Sequence, residues 1–376
     1  MPDLLLFGDT ERSAALRHEI PIAIGDPFLY GEVGGQVYIM STMLEGERLA
    51  AARPDAELVD VDGLGFYELI RSGRSRAEVF IELVSRAAKR MGVREAIVDF
   101  DFPLGVAERL RADGIALSVD DVAVKTRRRV KSKAEMAGIC RAQRAADAAM
   151  AAAVELLRRA DSVDGTLHVN GEPLLAEAVR ATMVEVCRQH GAVLPPDAIV
   201  ASAWQGFGHE PGRGPLPSAL PIQIDLWPQD ETSSCWADMT RTFVAAGDPS
   251  QEVLRQERAV HEALRQVRAA IKPGATGREM HALACDVFEH AGYETQRTNP
   301  GADGFQFSLG HGVGLRVHED PAVSQAGHDP LVAGDVLAIE PGLWRRDLGG
   351  VRFEDLILVT EDGCETITAY SYELAP

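Results

Sequence analysis

Cysteine is scarce in this chain. There are five, at positions 140, 187, 235, 285 and 364, and no two form a CxxC pair. An odd, scattered set argues against a disulfide framework and points to reduced thiols in a cytoplasmic protein. Long apolar runs are missing as well: no segment approaches the ~20 continuous apolar residues of a membrane span. The opening MPDLLLFGDTERS has an apolar stretch too short for a secretory signal and no basic residues before it. Basic charge is the third deficit, with 38 Lys and Arg against 57 Asp and Glu and a formal net charge of −19. Such a surface repels phosphate backbones, so nucleic acid and anionic membranes are not expected partners. The one dense basic run, Lys125–Lys133 (KTRRRVKSK), reads as a solvated linker.

What is present is enough for two domains. A chain of 376 residues exceeds one ordinary core, and its 46% hydrophobic and 25% charged content is that of a soluble enzyme. Residues 1–122 read as a small α/β domain. YELIR and SRAEVFIELVSRAAKRMG carry helical spacing, and EAIVDF and IALSV are β-type runs bounded by Gly, Asp and Pro. The basic linker, 123–134, leads into a domain over 135–376. There a long one-sided helix (Met136, Ile139, Cys140, Met150, Val154, Leu157) is followed by a helix expected at 172–190. Strand-like AIVASA, a Gly/Pro-rich loop at 206–221, IQIDLW and MTRTFVAA come next. The order then repeats: a helix at 251–271 stopped by Pro273-Gly274, and a helix at 278–291 with Thr276 and Glu279 as a capping box. Strand-like FQFSLG, VLAIEPG and VRFEDLILVT close the chain. Two helices then strands, twice over, predict two similar halves back to back, with a ligand site at their junction.

The chemistry lies in four carboxylates and one imidazole. Asp225 ends the alternation Ile-Gln-Ile, and Asp238 precedes Met-Thr-Arg-Thr-Phe, so a hairpin through PQDETSSCW sets the two side by side. Asp230 and Glu231, at its tip, read as solvated. His311 sits between glycines in GHGVG, which let backbone approach a ligand closely. Glu340 in VLAIEPG and Glu354 in VRFEDLILV interrupt apolar strands, and an inward carboxylate needs a partner, of which a cation is the simplest. Arg352 shares the face of Glu354 at spacing two. One divalent ion does not need four anionic side chains, but two ions sharing carboxylates do.

From about residue 130 onward the chain resembles the pita-bread metallopeptidases, the family of Xaa-Pro aminopeptidases, prolidases and methionine aminopeptidases. The residues that carry the likeness are Asp225, Asp238-Met-Thr-Arg-Thr-Phe, GHGVGLRVHEDP (310–321), IEPGLW and VRFEDL, with KSKAEMAGICRAQRAAD upstream. The resemblance implies a mixed α/β (α+β) fold, with a creatinase-like N-terminal domain and a pseudo-twofold pita-bread catalytic domain. It implies Asp225 as ligand of one divalent ion, Asp238 and Glu354 as bridges, and His311 and Glu340 completing the second ion's shell. Such a pair of ions lowers the pKa of a bridging water, holds the hydroxide and polarises the scissile carbonyl, while Glu340 takes the proton. His318 and His209, the latter in GFGHEP, take substrate-orienting roles, and Arg352 holds the ligand shell or a substrate group. A carboxylate-rich set with one imidazole suits manganese, with cobalt, iron or zinc as alternatives.

The resemblance implies a substrate too: a short proline-containing peptide, most simply an Xaa-Pro dipeptide, cut by a homodimer. The alternatives are an Xaa-Pro aminopeptidase acting on longer peptides and, from a different class, a non-catalytic pita-bread binding module. Retention of all five ligand positions discriminates against the module. The sequence departs from the family in Ser-Cys-Trp-Ala before Asp238, in Trp344 where Tyr is common, and in Ala322 after Pro321. Those departures concern the grip on a substrate's terminal carboxylate, not the metal shell.

Overall fold

The computed structural model describes residues 2–202 and 209–376. Residues 206–208 of the expected Gly/Pro-rich loop lie outside the described residues. The chain divides into two units, Met1–Arg128 and Arg129–Pro376. The break falls inside the stretch read as a linker.

In the first unit, strands Leu4–Gly8 (β1), Phe28–Val33 (β2), Gln36–Ser41 (β3), Glu57–Asp60 (β4), Glu95–Val98 (β5) and Ala116–Val119 (β6) form one sheet. Its order is β4-β3-β2-β1-β5-β6. The β1–β2 and β2–β3 pairs are antiparallel and the other three are parallel. Alternation along β1 sends Leu5 to one face and Leu4 and Leu6 to the other, so each face carries its own core. Helix Arg76–Arg90 covers the first with Val79, Leu83, Val84 and Ala87, its start set by a Ser75–Glu78 capping box.

The second unit carries the two halves. Helix α1 (Lys133–Arg158) opens at a Ser132–Glu135 capping box and buries an alanine-rich face that lets α2 (Ala176–Gln189) pack closely. Strands β7 (Ile199–Ser202), β8 (Pro221–Leu226) and β9 (Met239–Val244) form an antiparallel sheet in chain order. Helices α3 (Gln251–Ala270) and α4 (Gly277–His290) begin the second half, α4 at the expected Thr276–Glu279 capping box. Its sheet contains β10 (Gly310–Gly312), β11 (Glu319–Val323), β12 (Val336–Ile339), β15 (Asp355–Val359) and β16 (Cys364–Thr366), in the order β11-β10-β12-β15-β16. A separate hairpin, β13 (Gly342–Arg345) with β14 (Gly349–Arg352), leans against β8 and β9. Among the described residues no helix is long and apolar enough to cross a membrane.

Four local expectations are corrected. Part of the basic run is not solvated: Arg129 makes a two-pronged pair with Asp335, at 2.9 and 2.6 Å, and Lys131 pairs with Glu319 with both side chains buried. Charge density along a sequence cannot show that these two cations have carboxylates waiting 206 and 188 residues away. The helix expected at 172–190 begins only at Ala176. Asp164-Gly165 and Asn170-Gly171, all at positive φ, turn residues 161–173 into a small three-stranded meander first. FQFSLG is not a strand: only Gly304 and Phe305 make isolated bridges before β10. VRFEDLILVT is two strands, broken at Phe353-Glu354, where the Glu354 amide leaves its own sheet to donate to the Thr240 carbonyl at 3.1 Å.

Candidate metal centre

The β8–β9 pairing sets Asp225 opposite Thr240 and Leu226 opposite Met239, so Asp238, one residue before β9, comes level with the end of β8. Both carboxylates are buried, as is Glu354. Ligand atoms of Asp225, Asp238 and Glu354 all lie within 4.8 Å of one another. So do those of His311, Glu340 and Glu354, and those of Asp238, His311 and His318. Glu354, Asp238 and His311 each belong to two of these triads, so the three groups form one continuous cluster.

His311 comes from β10, which is sandwiched between β11 and β12. The flanking glycines are required: a Cβ on Gly310 would overlap the Ala338 carbonyl, and one on Gly312 the Asp320 carbonyl. Nδ1 of His311 faces the Gly312 carbonyl at 3.1 Å and must donate to it. That leaves Nε2 as a bare lone pair, 3.6 Å from Asp238 Oδ2 and 3.8 Å from Glu340 Oε1. Glu340 lies just past β12, not within it, with its amide donating to the Leu309 carbonyl at 2.8 Å.

The residues present fit a cation. Burial first, and then mutual repulsion against the pull of Arg352, pushes Asp225, Glu340 and Glu354 up to about 7, and Asp238 well up too. Burial pushes the His311 imidazole down to about 4. Asp225 Oδ1 is buried without a hydrogen-bond partner among the described residues. An imidazole lone pair facing two carboxylates, beside an orphaned carboxylate oxygen, leaves acceptors without donors, and divalent ions resolve that conflict.

One fixed cation is already present. Arg352 ends β14 with its guanidinium paired to Asp225 through Nη2 and to Glu340 Oε2 through Nη1 at 3.3 Å. Its Nε donates to the Thr240 hydroxyl at 3.1 Å, and that hydroxyl donates on to Glu354 Oε2 at 2.6 Å. Thr240 therefore joins Arg352 to Glu354 and was missed by the sequence reading. The available signal was its spacing of two from Asp238 on a strand. His318 is exposed, its ring 4.2 Å from that of His311 and edge-on to it. His209 is exposed as well, 6.1 Å from the Phe307 ring, and Phe307 stands 6.5 Å from Trp344. The sequence carried no signal for Phe307.

Asp230 corrects the reading of the hairpin tip. It is 3% exposed, gripped by Arg141 Nε and Nη2 at 2.8 Å each, and it accepts from Ser233. Its role is to pin the hairpin to α1. Glu231 is exposed as expected.

A model of the metallopeptidase family M24 matches residues 137–361, a span that contains every residue of the cluster. The chain belongs to that family. An Xaa-Pro dipeptidase of Pyrococcus furiosus is 33% identical over 267 residues, covering 68% of this chain and 67% of that protein. The Xaa-Pro dipeptidase of Pyrococcus horikoshii is 31% identical over 294 residues, 75% of each chain. The solved structure of an Xaa-Pro dipeptidase from Bacillus anthracis superimposes with a TM-score of 0.78 at 22% identity, over 100% of this chain and 94% of that one. The last comparison establishes the pita-bread fold, and the family match makes the chain a metallopeptidase.

Proposed function

We propose that this M24 peptidase is an Xaa-Pro dipeptidase that uses two divalent ions held by Asp225, Asp238, His311, Glu340 and Glu354. The observation that carries the reading is the overlap of the ligand triads, in which Glu354, Asp238 and His311 each appear twice, around a buried Asp225 oxygen with no hydrogen-bond partner among the described residues. When bound, two such ions would acidify a water and polarise the scissile carbonyl. Glu340 then serves as the proton acceptor and hands the proton to the prolyl nitrogen. Arg352 keeps Asp225 and Glu340 apart and oriented throughout. His318 and His209 act as donors towards the carbonyl oxygen, and the aromatic row of His209, Phe307 and Trp344 suits a prolyl ring. The oxygen-rich shell favours manganese. Five unpaired cysteines support a reducing, cytoplasmic setting. The homodimer rests on the family resemblance alone.

Substrate length is tested by titrating the chelated enzyme with Mn2+ and comparing Leu-Pro with a tripeptide beginning Leu-Pro. A dipeptidase cleaves the first with much the higher kcat/KM; equal or better cleavage of the tripeptide would move the assignment to an aminopeptidase.

The two outer histidines give a second test. His318→Ala is expected to keep its metal while losing on the order of 100-fold in kcat, because a preorganised donor at the carbonyl is removed. His209→Ala acts in the same direction, less strongly. Metal content and kcat are measured on the same preparations. Loss of an ion from His318→Ala would make that residue a ligand, which its place beside Asp238 and His311 allows.

A further inference from the structure

Among the described residues, the bulkiest of the fully buried side chains is not in the ligand cluster. It is Arg241, one residue along β9 from Thr240, with its side chain on the opposite face. Each of its five N–H donors has an acceptor. Nε donates to the Ser371 carbonyl at 2.8 Å. Nη1 donates to the Thr240 carbonyl at 2.8 Å and the Glu354 carbonyl at 2.7 Å. Nη2 donates to Asp355 Oδ1 and to the Tyr370 carbonyl, both at 2.9 Å. The Tyr372 ring lies 4.6 Å from the guanidinium carbon, and its hydroxyl donates to Asp355 Oδ2.

These contacts tie residues 368–374, which form no regular element, along the edge of the site. Thr368 Oγ1 accepts from the Leu356 amide at 2.9 Å, and the Leu374 carbonyl accepts from the Val244 amide at 2.8 Å. Glu354 is held at three points. Its carbonyl is fixed by Arg241, its amide by the Thr240 carbonyl, and its carboxylate by the Thr240 hydroxyl. An arginine and an aspartate at 1% and 0% side-chain exposure carry a heavy desolvation cost, which well-packed apolar residues would avoid. What the ion pair supplies instead is direction: a planar fork fixes a carbonyl in a way that a hydrocarbon contact cannot.

We infer that Arg241, Asp355 and Tyr372 are positioning residues that set the Glu354 carboxylate for the ions, and that residues 368–374 are a working part of the metal centre. The inference rests on the two-ion reading above. Groups behind a ligand commonly change metal affinity by 10- to 100-fold without touching the metal.

The test is Tyr372→Phe, which removes one hydroxyl and leaves the ring against Arg241, with Tyr370→Phe as control because Tyr370 contributes its carbonyl. Chelated wild type and both variants are titrated with Mn2+ in a calorimeter, and their melting is followed without metal. The expected result is a loss of about 10-fold or more in affinity for at least one ion in Tyr372→Phe, in a protein that without metal still melts cooperatively, at a somewhat lower temperature because Asp355 Oδ2 loses its donor. Excess Mn2+ should then restore most of kcat on Leu-Pro, and Tyr370→Phe should match wild type. Unchanged Mn2+ affinity in Tyr372→Phe would overturn the inference while leaving the two-ion reading in place. Wild type that takes up no Mn2+, Co2+ or Zn2+ would instead remove the two-ion reading itself.

Discussion

Glu340→Gln is expected to lower kcat on Leu-Pro by on the order of 1,000-fold or more, within the range ascribed to positioned acid–base groups, and to leave the fold intact. Glutamine keeps the size of the side chain and one carbonyl oxygen but cannot accept the water's proton. The side chain stands at the end of β12, with its oxygens shared between Arg352 and the neighbourhood of His311. Its backbone is fixed independently by Leu309, so substitution should not move the strand. Circular dichroism and metal content separate the effects. Activity near that of wild type in a folded, metal-loaded variant would remove Glu340 from the reaction.

The second large effect concerns the ions themselves. Asp238→Ala removes a carboxylate that belongs to two of the overlapping triads, so bound metal should fall from about two ions per chain. Saturating Mn2+, at about 100 times its Kd, should raise the melting temperature of wild type by roughly 5–10 °C, and of this variant by much less. Without metal the order reverses. The four carboxylates are buried against one guanidinium, and deleting one of them relieves repulsion. The metal-free variant should therefore melt no lower than wild type. Equal stoichiometry in the two proteins would show that Asp238 is not shared between the ions.

The sequence by itself determined where most of the long helices of the second unit lie and which side chains are candidates for the chemistry. Helical spacing located α1, α3 and α4, and the Thr276–Glu279 pair marked where α4 begins, because capping and periodicity are local properties of the chain. Five residues stood out as acidic residues at or beside apolar strands or as a histidine between glycines, and all five are among the six residues whose ligand atoms converge, the sixth being His318. Their identity as ligands is what the metal experiments above decide.

Other features were settled only by tertiary structure. Whether a charge is buried depends on what lies across from it. Asp230 and Lys131 read as solvated, yet Arg141 and Glu319 enclose them, because the fold brings together segments 89 and 188 residues apart. The same holds for Arg241. In sequence it is one charged residue in MTRTF, and only the packing of β9 against β15 and residues 368–374 gives its five donors their acceptors. Local patterning says which groups need partners. Which partners they receive is a long-range property, decided when the two halves close on each other.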